Sequence, residues 1–150
     1  MNLKILNSKE IKKIINKIKE QYGINELKLD YVLLKNRDNK IFILSKDFAK
    51  IDTKNLKLNS LGLYFATIEQ DGIRLSIEGS QLIGQKATKN IFEIDKQQLK
   101  DWLIGSNIKT DKGFNNYIII KYKHDYLGIG RYKNNLILNY IPKERRIRLK

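Results

Sequence analysis

Apolar side chains at Ile11, Ile14, Ile15, Ile18 and Tyr22 recur at the spacing of one helical face. Lys9, Lys12, Lys13, Lys17 and Lys19 fill the other face. Ser8 stands where an N-cap is expected and Gly23 where the helix stops. The period then shortens to two. Leu27, Leu29, Tyr31 and Leu33 recur at every second position, Asn36-Arg37-Asp38-Asn39 supplies turn chemistry, and Lys40 to Leu44 returns as the second arm of a hairpin. Ser45 caps a short helix through Ile51, with Phe48 and Ile51 facing inward, and Asp52 to Asn59 is a polar connection. Leu61 to Glu69 and Ile73 to Glu78 form a second hairpin around Asp71-Gly72, followed by one helical turn from Gly79 to Gly84.

Residues Gln85 to Asn90 are polar and lack large apolar groups, which places a domain boundary there: residues 1–85, then 86–150. The second unit opens with a strand, Asn90 to Ile94. Asp95 caps a helix bearing Leu99, Trp102 and Leu103 that ends at Gly105, and Trp102 sits at the spacing of a core residue. Ser106 to Asn116 is a polar loop with Lys109, Lys112 and an isolated Phe114, and its length and Asp111-Lys112-Gly113 turn suit it to facing a ligand. From Asn115 to the end the pattern predicts three short strands, with Asn134-Asn135 as a turn and Pro142 as a terminator. In the middle strand, strict alternation puts Leu127 and Ile129 on one face. Tyr126, Gly128, Gly130 and Tyr132 share the other, leaving bare backbone between two tyrosines. Two glycines at that spacing mean close approach, either of a ligand or of another segment of the same protein.

Charge changes the picture more than composition does. There are 30 basic and 16 acidic residues, a formal net charge of +14. Residues 1–85 carry 15 basic and 10 acidic groups, residues 86–150 carry 15 and 6, so the excess is greater in the shorter unit. Four of the six arginines (Arg131, Arg145, Arg146, Arg148) fall within the last twenty positions. Arginine offers a planar fork to phosphate and guanine edges, so this concentration predicts either a surface for a polyanion, nucleic acid ahead of an anionic membrane, or a frayed basic tail. The lysine face of the first helix is either part of that surface or a solvated exterior. No apolar run approaches the length of a membrane span, and the expectation is a soluble, cytoplasmic protein with no membrane partner.

Catalytic chemistry is sparsely represented. With no cysteine there is no disulfide framework, thiolate zinc site or cysteine nucleophile. The single histidine, His124, is a turn residue beside Asp125. Gly128-x-Gly130 lacks the third glycine and the following helix of a dinucleotide site. No catalytic residue, metal or cofactor is expected.

Leu127-Gly128-Ile129-Gly130-Arg131, then Asn139-Tyr140-Ile141-Pro142-Lys143 and Arg145-Arg146, resemble the end of the PUA-like RNA-binding domain attached to NOL/NOP/Sun-type RNA 5-methylcytosine methyltransferases. The hairpin with Tyr31, Ile43-Leu44-Ser45, Ser60-Leu61-Gly62 and Arg74-Leu75 resemble the Nip-seven-type ribosome-biogenesis factors, a pre-PUA domain followed by a PUA domain. The resemblance implies an α+β protein, with an N-terminal α/β pre-PUA-like domain ahead of a PUA-like mixed β pseudo-barrel. It further implies binding of structured ribosomal or transfer RNA, in RNA processing, modification or ribosome biogenesis. A methyltransferase activity is not implied, because cytosine C5 methylation needs a cysteine that this sequence lacks. The RNA contacts expected are Arg131, Lys133, Lys143, Arg145, Arg146 and Arg148 on phosphates or base edges, Gly128 and Gly130 for close approach, and Tyr126 and Tyr132 for stacking. The other reading is an adaptor that docks an RNA-processing or methyltransferase complex through the same basic surface.

Overall fold

The computed structural model describes residues 3–49 and 62–148. The first helix, α1 (Ser8–Tyr22), is capped by Asn7 rather than Ser8. The Asn7 side chain accepts from the Glu10 amide at 2.9 Å, and Glu10 in turn accepts from the Asn7 amide at 3.3 Å. This reciprocal pair requires an acid three residues after the cap. Glu10 meets that from Asn7, whereas Ser8 is followed at that spacing by Ile11. Gly23, left-handed at φ 62°, closes the helix as expected, and Ile14, Ile18 and Tyr22 are buried.

Strand β1 (Lys4–Ile5) pairs with β2 (Tyr31–Lys35), which pairs with β3 (Lys40–Ser45). The alternating residues before Tyr31 are not a strand. Tyr31 is already opposite Ser45, the last residue of β3, so nothing remains for Leu27 and Leu29 to pair with. They pack on the core as loop residues instead. After α2 (Lys46–Ala49), the expected helix end at Ile51, the connection 52–59 and the strand start at Leu61 lie outside the described residues. β4 (Leu63–Glu69) and β5 (Gly72–Leu75) form the expected second hairpin. β5 stops short of Glu78 because Ser76 caps a longer helix than expected, α3 (Ile77–Ile83), by accepting from the Gly79 amide at 2.9 Å.

The remainder contains β6 (Ile91–Glu93), α4 (Lys96–Leu103), β7 (Ile108–Lys109), β8 (Tyr117–Tyr122), β9 (Asp125–Lys133) and β10 (Leu136–Asn139). Two five-stranded sheets result, ordered β1-β2-β3-β4-β5 and β6-β8-β9-β10-β7, with β6 parallel to β8 and every other pairing antiparallel. The protein is α+β, and its second sheet curls into the PUA-like pseudo-barrel that the resemblance implied.

Strand β8 shows how the two sheets are held together. Its Tyr117 and Ile119 belong to the core under α1 and the first sheet, while Ile118 and Ile120 belong to a second core around Trp102. A strand buried on both faces has to be apolar at successive positions, and Tyr-Ile-Ile-Ile is. Trp102 is fully buried, and its indole N–H donates to the Leu127 carbonyl at 3.0 Å. The polar segment before β6 returns to α1: the Thr88 amide and the Asn90 side chain donate to the Tyr22 and Gln21 carbonyls at 2.8 and 2.7 Å.

Candidate nucleic-acid interface

The turn Asn134-Asn135 has both residues in the left-handed region, at φ 50° and 63°, the geometry of a two-residue hairpin whose twist matches its strands. That turn sets the register in which Leu136 of β10 faces Lys133 of β9 on one side and Lys109 of β7 on the other. Directly opposed residues project to the same face, so Lys133 and Lys109 stand on one face about 10 Å apart, two strand spacings. Arg131 lies two residues along β9 and shares that face, opposite Leu138 and Tyr117. Lys109 is not among the expected RNA contacts but lies in the polar segment Ser106 to Asn116 expected to face a ligand, which is not all loop, because Ile108 and Lys109 form the short β7.

Arg131 is not a free cation. Its guanidinium bridges Asp71 at 2.5 Å and lies over the Tyr117 ring, with 5.7 Å to the centroid. The neighbouring Tyr140 phenol and then the Asp71 carboxylate hold its pKa above the usual arginine value. Burial, reinforced by the hydrogen bond that its hydroxyl donates to Asp71, pushes the Tyr117 phenol well above the ordinary tyrosine range.

The tail divides in the same way. Pro142 ends the sheet and a single 3-10 turn covers Lys143–Arg145. Arg145 bridges Glu78 at 2.5 Å. Arg146 turns inward: its Nε donates to the Ile141 carbonyl at 3.0 Å, and its side chain lies over Gly105, where an added Cβ would come within 2.8 Å of Nε. Lys143 and Arg148 are exposed, as is Lys133. Three of the four C-terminal arginines are thus engaged within the protein. Two of them neutralise carboxylates of the first 85 residues, one packs against its own half, and the outward charge comes largely from lysine.

The middle strand departs from strict alternation. Ile119 faces Ile129, but Lys121 faces Tyr126, so β9 carries one extra residue there, and Gly128 within that stretch adopts φ 88°. The extra residue reverses the parity of the side chains. Tyr126 packs with the first core and Tyr132 with the second, so they do not frame one platform. Both glycines are buried, and it is other segments of the protein that approach them. The Gly128 amide donates to the Ser80 hydroxyl at 3.0 Å, and Trp102 and Ile137 close over Gly130. Tyr126 lies against Gly84, and Tyr132 donates to the Asn135 side chain at 2.9 Å while meeting Phe114 edge-on at 5.9 Å.

His124 sits in the exposed β8–β9 turn as expected. Among the described residues, no group of three His, Cys, Asp or Glu could hold a metal ion, and no helix is long and apolar enough to cross a membrane.

Residues 89–147 match the family described as the methyltransferase RsmF PUA domain, over the stretch that contains β6 to β10. Three proteins named ribosomal RNA small subunit methyltransferase F align with more of the chain. The protein from Aeromonas salmonicida is 23% identical over 93% of this chain and 28% of its own length. That from Vibrio cholerae is 21% identical over 72% of this chain and 23% of its own. That from Aliivibrio fischeri is 24% identical over 90% of this chain and 32% of its own. The chain therefore spans about a quarter to a third of the length of these relatives. The C-terminal resemblance read from the glycine and Asn-x-x-Pro-Lys motifs is borne out, and the longer alignments extend into the part upstream of residue 89.

Proposed function

We propose that this protein binds RNA through the cationic face of its PUA-like sheet and serves ribosomal RNA modification, without catalysing a reaction itself. The observation that carries this is the row Lys109, Lys133 and Arg131 on one face of the sheet that matches an RNA methyltransferase's PUA domain. Residues 86–150 form the binding domain in this reading, and residues 1–85 form a domain that supports it. Lys109, Lys133, Lys143 and Arg148 contact phosphates, while Arg131 and Arg145 position the surface through Asp71 and Glu78. Of the other residues expected from sequence, Gly128, Gly130 and Arg146 shape the scaffold, and Tyr126 and Tyr132 offer only partly exposed ring edges. The target is structured ribosomal RNA in the cytoplasm, transfer RNA being the second choice.

Four phosphates neutralised give a log affinity falling against log salt with a slope of about −3 to −4. Substituting Lys109, Lys133, Lys143 and Arg148 by Ala one at a time should each reduce that slope by somewhat under 1, across RNA sequences alike, as read by filter binding between low and moderate salt. A slope unchanged in all four variants refutes the assignment. If the quadruple variant keeps RNA affinity but no longer retains a methyltransferase complex in pull-down, the adaptor reading replaces it.

A further inference from the structure

Where the two sheets meet, a cleft of about 410 Å³ is lined by Lys40, Tyr64 and Arg74 from the first half and by Tyr140 and Arg145 from the second. Its floor follows from strand register. Lys40 of β3 faces Thr67 of β4, which faces Arg74 of β5, so the two cations flank a buried threonine on one face, about 10 Å apart. Each cation lies over an aromatic ring. The Lys40 ammonium is 5.4 Å from the Tyr64 centroid and the Arg74 guanidinium 5.6 Å from that of Tyr140. Two acids, Glu78 and Glu144, share the wall, and Glu78 is already taken by Arg145. Arg74 bridges Glu69 through one terminal nitrogen at 3.1 Å, while its Nε is buried without an acceptor. An anion entering the cleft meets the part of this guanidinium that Glu69 leaves exposed.

We propose that the cleft holds one unpaired nucleotide, its base against Tyr140 and Tyr64 and its phosphate on Arg74 and Lys40. The proposal rests on the RNA-binding reading and names what that surface delivers to the seam. The volume is in the range of small-ligand pockets, about 300–1,000 Å³. Flat aromatic and guanidinium planes suit a base, and unpaired bases are what proteins splay out and stack. The cleft also continues the cationic row, because the Tyr140 ring meets the Tyr117 ring at 6.4 Å and Arg131, which lies over Tyr117, shares a face of β9 with Lys133. A strand whose phosphates follow Lys109 and Lys133 and that passes Arg131 reaches Tyr140 next.

The test uses RNA hairpins carrying 2-aminopurine either in the loop or within the stem, with the free 2-aminopurine ribonucleoside monophosphate as a third arm. Binding is read by anisotropy of a terminal dye and stacking by 2-aminopurine quenching. The loop probe should be quenched and the stem probe not. Arg74→Gln, Tyr140→Leu and the rim variant Lys40→Ala, each checked for an unshifted melting curve, should weaken loop binding about tenfold and stem binding little. If the RNA binds but the loop probe keeps its fluorescence, or if all three variants bind like wild type, the cleft assignment is overturned while the RNA reading stands. If no hairpin binds in any arm, it is the RNA reading that fails. Saturable binding of the monophosphate alone, lost in Arg74→Gln, overturns the RNA source and leaves a free nucleotide as the ligand.

Discussion

Gly130→Ala separates the two meanings of the paired glycines, because the structure gives this position a packing role that a ligand-facing glycine would not have. Gly130 lies in ordinary extended backbone, so the substitution brings no left-handed strain; only space decides its effect. An added Cβ would press on the Ile137 side chain, lie 2.7 Å from the Leu138 carbonyl oxygen and 3.0 Å from the Trp102 ring. Leu138 is the residue opposite Arg131 in the β9–β10 ladder and Trp102 is fully buried, so neither can give way cheaply. Forcing a methyl group into such a site costs about 1–3 kcal/mol, and contact with backbone favours the upper part of that range. For a chain of this size, that lowers the melting temperature by about 4–10 °C. Trp102 is the single tryptophan and touches the site, so its fluorescence in a urea titration without RNA reads the loss directly. A variant within 0.5 kcal/mol of wild type that binds RNA poorly would refute the packing argument and return Gly130 to the ligand.

Two further outcomes follow from single side chains. Tyr117 and Tyr22 both have phenol pKa values raised by burial above the ordinary value of 10.0, so the neutral ring is favoured in the folded state; their contribution is complete below about pH 10 and is lost as pH rises beyond it. Alkaline titration followed at the tyrosinate absorbance should show two late-titrating phenols that ionise together with unfolding, and Tyr117→Phe should remove one of them; ionisation of all tyrosines near their ordinary value, with the fold intact, would contradict this. Asp95→Ala removes the side chain that accepts from the Gln98 amide at 2.8 Å and should cost about 1 kcal/mol in thermal denaturation, whereas Asp95→Asn should cost a few tenths; equal losses in the two would show that charge, not the cap, matters.

Much of the fold could be read along the chain because local signals and tertiary packing agree. The helical stripe of α1, the Asp71-Gly72 and Asn134-Asn135 turns, the Asp95 cap and the core position of Trp102 all appear where periodicity put them. What could not be read required a partner distant in sequence. The end of β2 at Tyr31 is decided by where β3 runs out. The parity reversal in β9 comes from one extra residue, and in sequence Gly128 looks the same whether it makes a bulge or leaves room for a ligand. Lys40 and Arg74 are 34 positions apart and become neighbours only through Thr67.

The arginines show why the candidate site was only half legible. Their crowding near the C-terminus predicts a surface for phosphate, yet three of the four hold the molecule together. Arg131 reaches Asp71, Arg145 reaches Glu78, and Arg146 reaches the Ile141 carbonyl. The physical reason is the one that makes arginine good at binding phosphate. A planar fork with several donors satisfies a carboxylate and an aromatic face at once, as Arg131 does with Asp71 and Tyr117. Lysine, with one compact and strongly hydrated charge, gains less from such a seam and stays outside, where Lys109 and Lys133 stand. In a protein this rich in lysine, Arg131 and Arg145 therefore tie the second sheet and the tail to the first 85 residues, and in the proposed reading RNA affinity rests on lysines that composition alone cannot tell from solvated ones. The cleft is where the two uses converge, since Arg74, over the Tyr140 ring, and Arg145, on Glu78, bind the seam and also line the space proposed for a nucleotide.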